Sequence, residues 1–579
     1  MKRTLIILTT LLALASFAHA QDNTILVDAV KKELNRSLSE LKTQPNPPYF
    51  ISYQVIDKYT NRISASFGKL DFNRDDHNRT LDIDLRVGSY QLDNTHFIRG
   101  NYDFGGNIYG ITTLPLEDDE MAIRNAIWNN TDKAYRKAIE KFEKAVANQN
   151  VKVAAEDTSA DFSHEQPTQY SEPFRERKIY NEMTRIFLDP EKVFALDTNK
   201  WIAICKRLSE KFVQHQWLFE GNVTFSAELN NKLFVNTEGT QIQVSEPTIR
   251  LMIDAKAKAE DGMVLPLYKS YFAFESKDLP TEEEIAKDID TLILTLDQLR
   301  NAPMSTTFSG PAILSCAAAG VFFHEIFGHR VEGFREKDPD ASNTFKTLIG
   351  KKVLPEFMDV VFNPGAKKSQ NGQDLAGYYK YDDEGMAGGE VTTVKNGIFE
   401  RYLMSRSPIE GFDNSNGHGR KSQGRSAVTR QSNLMVIAHE TVTIDSMRKM
   451  LIVEAKKQNQ EYGLLFNQVQ GGFTFTHRTM PNAFNVLPLV VYRIYVDGRP
   501  DELVRGVDLI GTPLNTFSNI IAAANDYGVF NGVCGAESGW VPVSASSPSL
   551  LVSKIETQKK SKSQARLPIL PSPIETEKQ

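Results

Sequence analysis

Apolar and polar positions follow two rhythms along this chain, and the changes between them divide it into segments. Residues 28–42 repeat every three to four positions through Val30, Leu34, Leu38 and Leu41, which predicts an amphipathic helix. Period-two alternation over 50–56, and again in Leu81-Asp82-Ile83-Asp84-Leu85-Arg86-Val87, predicts half-buried strands. A long helix is predicted over 120–147, with Ile123, Ile127, Ala134, Ala138, Phe142 and Ala145 on one stripe. Residues 148–173 are polar and aperiodic and read as a linker or insertion. Helical spacing returns over 189–212, alternation like a meander of antiparallel strands over 221–274, and helix over 281–299, where Glu282, Glu283 and Glu284 favour the N-terminal end of the macrodipole. From 353 to 543, strand runs such as 434–437 and 487–496 are broken by glycine-rich turns. The order predicts an α+β fold: an N-terminal α/β-type domain with long helices over 21–300, then a mainly antiparallel β domain over 301–555. Residues 556–579, basic and then proline-rich, are expected to form a disordered tail.

The first twenty residues fit neither rhythm. Lys2 and Arg3 precede an apolar run from Leu5 to Phe17, and Ala18-His19-Ala20 offers the small residues a signal peptidase requires, so cleavage after Ala20 is expected. The run is shorter than the roughly 20 residues that span a bilayer, so no stable membrane insertion is expected after cleavage. Gln21, not a cysteine, would come first in the mature chain, which argues against a lipid anchor. The chain is expected to be periplasmic or secreted.

Composition narrows the classes further. With 579 residues, 41% apolar and 24% charged, the chain is neither solvating nor fibrous and has room for two or more cores. Its 73 acids and 67 bases give a formal charge of −6, which becomes −8 when Lys2 and Arg3 leave with the leader. No basic field gathers nucleic acid. Cys205, Cys316 and Cys534 are an odd number for an exported chain, so a closed disulfide framework is excluded. Cys205 and Cys316 lie in apolar surroundings and read as inert core thiols, whereas Cys534 sits in Asn531-Gly532-Val533-Cys534-Gly535, where the backbone can approach a ligand closely.

The strongest chemical signal is His324-Glu325-Ile326-Phe327-Gly328-His329. It closes a run from Pro311 to Phe327 that is apolar on nearly every face, predicting a buried helix with Ser309 as N-cap and Pro311 in its first turn. Neutral imidazoles bind zinc, and an adjacent carboxylate can take a proton from water whose pKa the metal lowers towards about 7. The histidines are five apart, however, rather than the four of the common zinc helix. Four residues of regular helix bring side chains within about 40° of each other, and five separate them by about 140°. One metal is shared only if the helix widens or ends near Gly328, so a π-bulge or a left-handed exit is expected there. A third ligand is also needed. Glu332 is the local candidate and Cys534 the distant one, and spacing leaves both open.

The segment His324 to Gly333, HEIFGHRVEG, resembles the signature of the TldD/PmbA family of metallopeptidases, specifically its metal-bearing TldD-like members. Asn236-Thr237-Glu238-Gly239, Ser309-Gly310-Pro311, Asp382-Asp383-Glu384-Gly385, and Cys534-Gly535 followed by Val541-Pro542-Val543 resemble further family landmarks in the same order. The resemblance implies a zinc ion held by His324, His329 and Cys534, with Glu325 as general base for attack of metal-activated water on a peptide bond. It also implies unfolded or small peptides as substrates, and pairing as a homodimer or as a heterodimer with a PmbA-like subunit. Two features depart from the family: the leader, and an N-terminal region of about 200 residues that matches only loosely.

Other roles are legible only as candidates. His418 and Arg420, in Asn416-Gly417-His418-Gly419-Arg420, could donate to substrate or to a developing oxyanion. Gly471-Gly472-Phe473 and Tyr462-Gly463 could line a cleft in which an exposed strand edge takes up a peptide. The rival reading is a non-catalytic peptide-binding or assembly subunit, against which a glutamate beside the first histidine argues, since a structural metal site needs no base.

Overall fold

The computed structural model describes residues 22–98, 111–149, 158–179, 192–338, 345–474, 484–511 and 513–560. The expected leader, and the tail beyond residue 560, lie outside them. The fold is α+β. In the N-terminal half, Lys69–Val87, Pro48–Ser66, Leu218–Asn236, Gln241–Lys258 and Val264–Ala273 pair antiparallel in that spatial order. The alternation over 221–274 thus becomes three adjacent strands. Odd-numbered positions such as Val223, Phe225, Leu229, Leu251 and Ile253 are buried. They pack with Asp22–Leu41 and Glu120–Gln149 over one part of the sheet and with Thr198–Glu210 and Glu282–Asn301 over the other. Thr281 begins the last of these helices with a full capping box to Glu284.

Two expectations for this half change. The segment read as helix over 189–212 contains a strand, Val193–Leu196, before a helix that starts only at Thr198, where the Asp197 side chain accepts from the Lys200 amide. Part of the polar 148–173 segment is sheet: Gln169–Ser171 adds a parallel edge strand beside Gln241–Lys258. Short strands of this kind carry too few alternating positions to show in a pattern.

Two large sheets dominate the described residues of the C-terminal half. Phe308–Leu314, Tyr462–Thr474, Phe484–Tyr495, Val507–Gly511 and Leu550–Lys559 pair in sequence, and the last returns to pair with the first, closing a small barrel. A second sheet runs Ile398–Phe399, Val391–Lys395, Met358–Phe362, Asn433–Ala438, Gly539–Ser547 and Gly528–Ala536. The helix Cys316–Ile326 lies between them, touching both, which is why it is apolar on every side.

This corrects the helix expected over 311–327. Phe308–Leu314 is a barrel strand and the helix starts after Ser315. A continuous apolar run does not distinguish a buried strand from a buried helix. Pro311 is tolerated because it falls where the register with Leu550–Lys559 shifts, between Gly310 and Ala312, so its missing N–H breaks no regular pair. The tail boundary moves too. Leu550–Lys559 is strand to its end, with Thr557 paired to Phe308 and Lys559 to Val507. Among the described residues no helix is long and apolar enough to cross a membrane.

Candidate metal centre

The helix Cys316–Ile326 delivers His324 and Glu325 in its last turn, and the chain then bends. Phe327 still donates its N–H to the Phe323 carbonyl at 3.0 Å, but its φ has opened to −105°, and Gly328–Arg330 then forms a single 3₁₀ turn. The irregularity expected here is therefore present, but as neither a π-bulge nor a left-handed glycine. Side chains replace the missing backbone bonds. Gln431 Nε2 donates to the His324 carbonyl at 3.2 Å, and Arg330 Nη1 donates to those of Glu325 and Ile326 at 2.9 and 3.0 Å. With its terminal carbonyls satisfied this way, the helix can stop in a buried place. The turn brings the imidazoles of His324 and His329 to 5.0 Å between ring centres at 74°, despite their spacing of five.

The third member comes from the edge strand Gly528–Ala536, where Cys534 Sγ lies 3.4 Å from His329 Nε2. Donor atoms of His324, His329 and Cys534 all fall within 4.8 Å of one another, and all three residues are buried. Glu332, the local ligand candidate, lies instead at the other ring nitrogen, with Oε2 3.2 Å from His329 Nδ1. Arg335 donates to the same oxygen from Nε and Nη2 at 2.9 and 2.8 Å, and Arg430 Nε stands 3.6 Å from Oε1. A carboxylate at Nδ1 fixes the tautomer and leaves Nε2 free to coordinate. Arg430 also donates from Nη2 to the Cys534 carbonyl at 2.8 Å, tying the cysteine strand to the histidine turn.

The electrostatics agree with a coordinating thiolate. Burial alone would raise the Cys534 pKa, yet the imidazoles of His329 and His324 hold it well below the ordinary thiol range. Burial likewise opposes a charged His329, but the thiolate and Glu332 raise its pKa well above the usual value. Burial would raise Glu332, and His329 and Arg335 bring it down to about 2. The remaining thiols behave oppositely. Burial pushes Cys205 up to about 12 and the half-buried Cys316 up to about 11.

Glu325 is buried beside this group, its Oε2 4.0 Å from His329 Nε2, and burial raises its pKa. Gly472, in the barrel strand Tyr462–Thr474, presses on it. A Cβ there would stand 2.6 Å from Glu325 Cγ, so only glycine leaves the carboxylate its place. Glu325, the two histidines and Cys534 open on a cleft of about 770 Å³, walled by Arg250, Met252 and Tyr268 of the N-terminal sheet and by Gly471, Gly472 and Phe473.

His418 and Arg420 are not brought to the cleft. His418 is fully buried, with Nδ1 3.1 Å from the Asn416 carbonyl and Nε2 3.0 Å from Ser432 Oγ. Arg420 donates to the Gln431 carbonyl at 2.6 Å and so stands behind the residue that caps the helix. Tyr462 stacks on Phe308, away from the cleft, whereas Gly471 and Gly472 line it within a strand rather than a turn. Sequence reasoning passed over Arg330, Arg430 and Gln431, which hold the site together. Arg430 and Gln431 stand in a polar run from Thr429 to Asn433, and Arg330 follows His329, so neither charge nor polarity sets them apart in the sequence.

The donor set suits zinc. Two imidazole nitrogens and a thiolate are its preferred protein ligands, and ligand atoms of a tetrahedral zinc site lie about 3.5 Å apart, close to the separation of Cys534 and His329. His324 Nδ1 is buried with no hydrogen-bond partner.

Comparison with known proteins follows the same line. The family model of the PmbA/TldA metallopeptidase C-terminal domain matches residues 307–559. A metalloprotease of Methanocaldococcus jannaschii is 24% identical over 324 residues, 56% of this chain and 66% of that protein. A TldD-homologue metalloprotease of Buchnera aphidicola is 22% identical over 344 residues, 58% of this chain and 66% of that protein. A zinc metalloprotease TldD homologue of Saccharolobus solfataricus is 24% identical over 246 residues, covering 42% and 51%. The chain thus spans two thirds or less of these relatives. Among solved structures, a Bacteroides thetaiotaomicron protein described as a modulator of DNA gyrase superposes with TM-score 0.58 at 12% identity, covering 91% of this chain and 98% of that one. TldE from Thermococcus kodakarensis gives 0.55 at 12%, covering 92% and 100%. At such identities the likeness is one of fold.

Proposed function

With residues 307–559 matching the PmbA/TldA metallopeptidase C-terminal domain, we propose that this chain is a TldD-like member of the TldD/PmbA family and an exported zinc-dependent peptidase acting on unfolded or small peptides. The observation that carries the proposal is the convergence of His324, His329 and Cys534 within 4.8 Å beside a buried Glu325, at the wall of an open cleft. The names of its metalloprotease relatives support the same reading.

Bound there, zinc would supply a Lewis acid to water and to the scissile carbonyl. The protein's own residues divide the rest. His324, His329 and the Cys534 thiolate form the holding set, and Glu332 orients His329 through Nδ1. Glu325, its pKa raised by burial towards the working range of a proton shuttle, accepts the proton of the attacking water and returns it to the leaving amine. Gly472 and the barrel strand hold that carboxylate against the cleft and exclude bulk water from one side. Two-fold pairing of this chain with itself or with a PmbA-like subunit belongs to the same proposal, supported by the likeness of fold to TldE. So does residence in the periplasm or medium after loss of residues 1–20, supported by the leader's sequence.

The test is a mixed peptide library offered to the purified mature chain with and without a chelator. Cleavage that the chelator abolishes and zinc restores is expected. Cleavage that survives removal of all metal would contradict the proposal.

A further inference from the structure

The wall of the cleft facing the donor set comes from the N-terminal sheet. Side chains alternate along Gln241–Lys258, so Leu251, Ile253 and Ala257 enter the core while Arg250, Met252, Asp254 and Lys256 turn towards the cleft. Most cations here are already matched. Lys256 pairs with Glu220 at 2.6 Å, and Arg335 with Glu332 and Glu537. Arg250 differs. Its Nη1 donates to Ser270 Oγ at 3.0 Å and to the Asn531 carbonyl at 3.1 Å, which fixes the guanidinium from one side. Among the described residues no carboxylate pairs with it, and Glu228, the acid whose field it feels, is bonded to Lys58 at 2.8 Å. A half-buried guanidinium anchored by one nitrogen, with its other donors left over in a cleft, is built to receive a carboxylate, because its planar fork matches two oxygens at once.

Its place along the cleft defines a length. Asn531, which Arg250 grips, precedes Cys534 by three residues on one strand, about 10 Å at 3.3 Å per residue. An extended peptide with its last carboxylate on Arg250 would present, at the donor set, a bond about three residues from its end. Exposed Val533, between Asn531 and Cys534 on that strand, offers apolar surface to the side chains between. Resting on the peptidase reading, we infer that Arg250 is the receptor for the substrate's C-terminal carboxylate, so that peptides with free C-termini are the substrate class. Water adds across the amide: the longer fragment gains the hydroxyl as a new carboxyl group, and the released C-terminal piece gains the proton on its amine. A carboxylate on an acidic side chain has the same chemistry, and the experiment separates the two sources.

The full chain carrying Glu325→Gln and loaded with zinc would be titrated with one apolar hexapeptide in three forms: free acid, C-terminal amide, and amide with a glutamate near its end. The free acid is expected to bind at least tenfold more tightly than either amide, and adding Arg250→Gln should make the three equal while Arg250→Lys keeps part of the difference. Equal affinity for acid and plain amide, a preference that survives Arg250→Gln, a glutamate-bearing amide that matches the free acid, or no binding of any form would each overturn the inference. Binding is read without turnover, so a wild-type chain that binds the acid but cleaves nothing would overturn the peptidase reading alone.

Discussion

Cys534 Sγ and His329 Nε2 stand 3.4 Å apart although 205 residues separate them along the chain. The same imidazole meets Glu332 at its other nitrogen. These two contacts assign different work to the two residues that sequence offered as rival ligands. Cys534→Ser is expected to lose zinc almost completely. Glu332→Gln is expected to keep it with affinity reduced roughly 10- to 100-fold, as for other residues that orient a ligand. Competition against a chelator of known affinity measures both, and loss of zinc from Glu332→Gln with retention in Cys534→Ser would reverse the assignment.

Gln431 fills the space beside Gly328 so tightly that a Cβ on residue 328 would overlap its side-chain amide. The same amide caps the His324 carbonyl, so the overlap acts directly on the turn that pairs the histidines. Gly328→Ala is expected to destabilise the fold by about 1–3 kcal/mol, the usual range for overpacking a core, and to weaken zinc binding. Trimming the neighbour in Gly328→Ala/Gln431→Ala should recover part of that loss, giving a coupling energy in a denaturant double-mutant cycle. Strict additivity would show that the two residues do not constrain each other.

His418 gives the fold an acid-sensitive element away from the metal centre. Burial lowers its pKa to about 3, and its neutral ring is held between the Asn416 carbonyl and Ser432 Oγ. The unfolded chain binds this proton near pH 6.5. Between about pH 6.5 and 3 the unfolded state therefore holds more protons. The stability linked to His418 is complete above that window and is lost as pH falls through it. At pH 4.5 the loss is about 3 kcal/mol. Urea unfolding of wild type and His418→Gln at pH 7 and 4.5 reads this directly: the stability gap should narrow in acid by about that amount, and a gap independent of pH would refute it.

Much of the architecture was legible in the sequence because its elements are long. The three strands between residues 218 and 273 and the helices Glu120–Gln149 and Glu282–Asn301 each carry many turns of one period. Phe308–Leu314 was misread because a strand closing a barrel under a buried helix is apolar on both faces, which removes the alternation that marks a strand. At the site, spacing showed that the helix had to break but not how. The break depends on Gln431 and Arg330, whose partners are carbonyls of the helix end, and a backbone acceptor leaves no trace in side-chain pattern. His418 and Arg420 sit in a glycine-rich stretch like that of Cys534. What differs is that their neighbours are Asn416, Ser432 and Gln431 rather than an open cleft.

Zinc content and peptide cleavage, measured together on wild type and Glu325→Gln, decide whether His324, His329 and Cys534 hold one zinc ion for which Glu325 carries the proton. About one zinc per chain is expected in both proteins and cleavage in the wild type alone; a Glu325→Gln protein that cleaves as fast as wild type, or a wild-type chain that takes up no zinc, would refute this assignment.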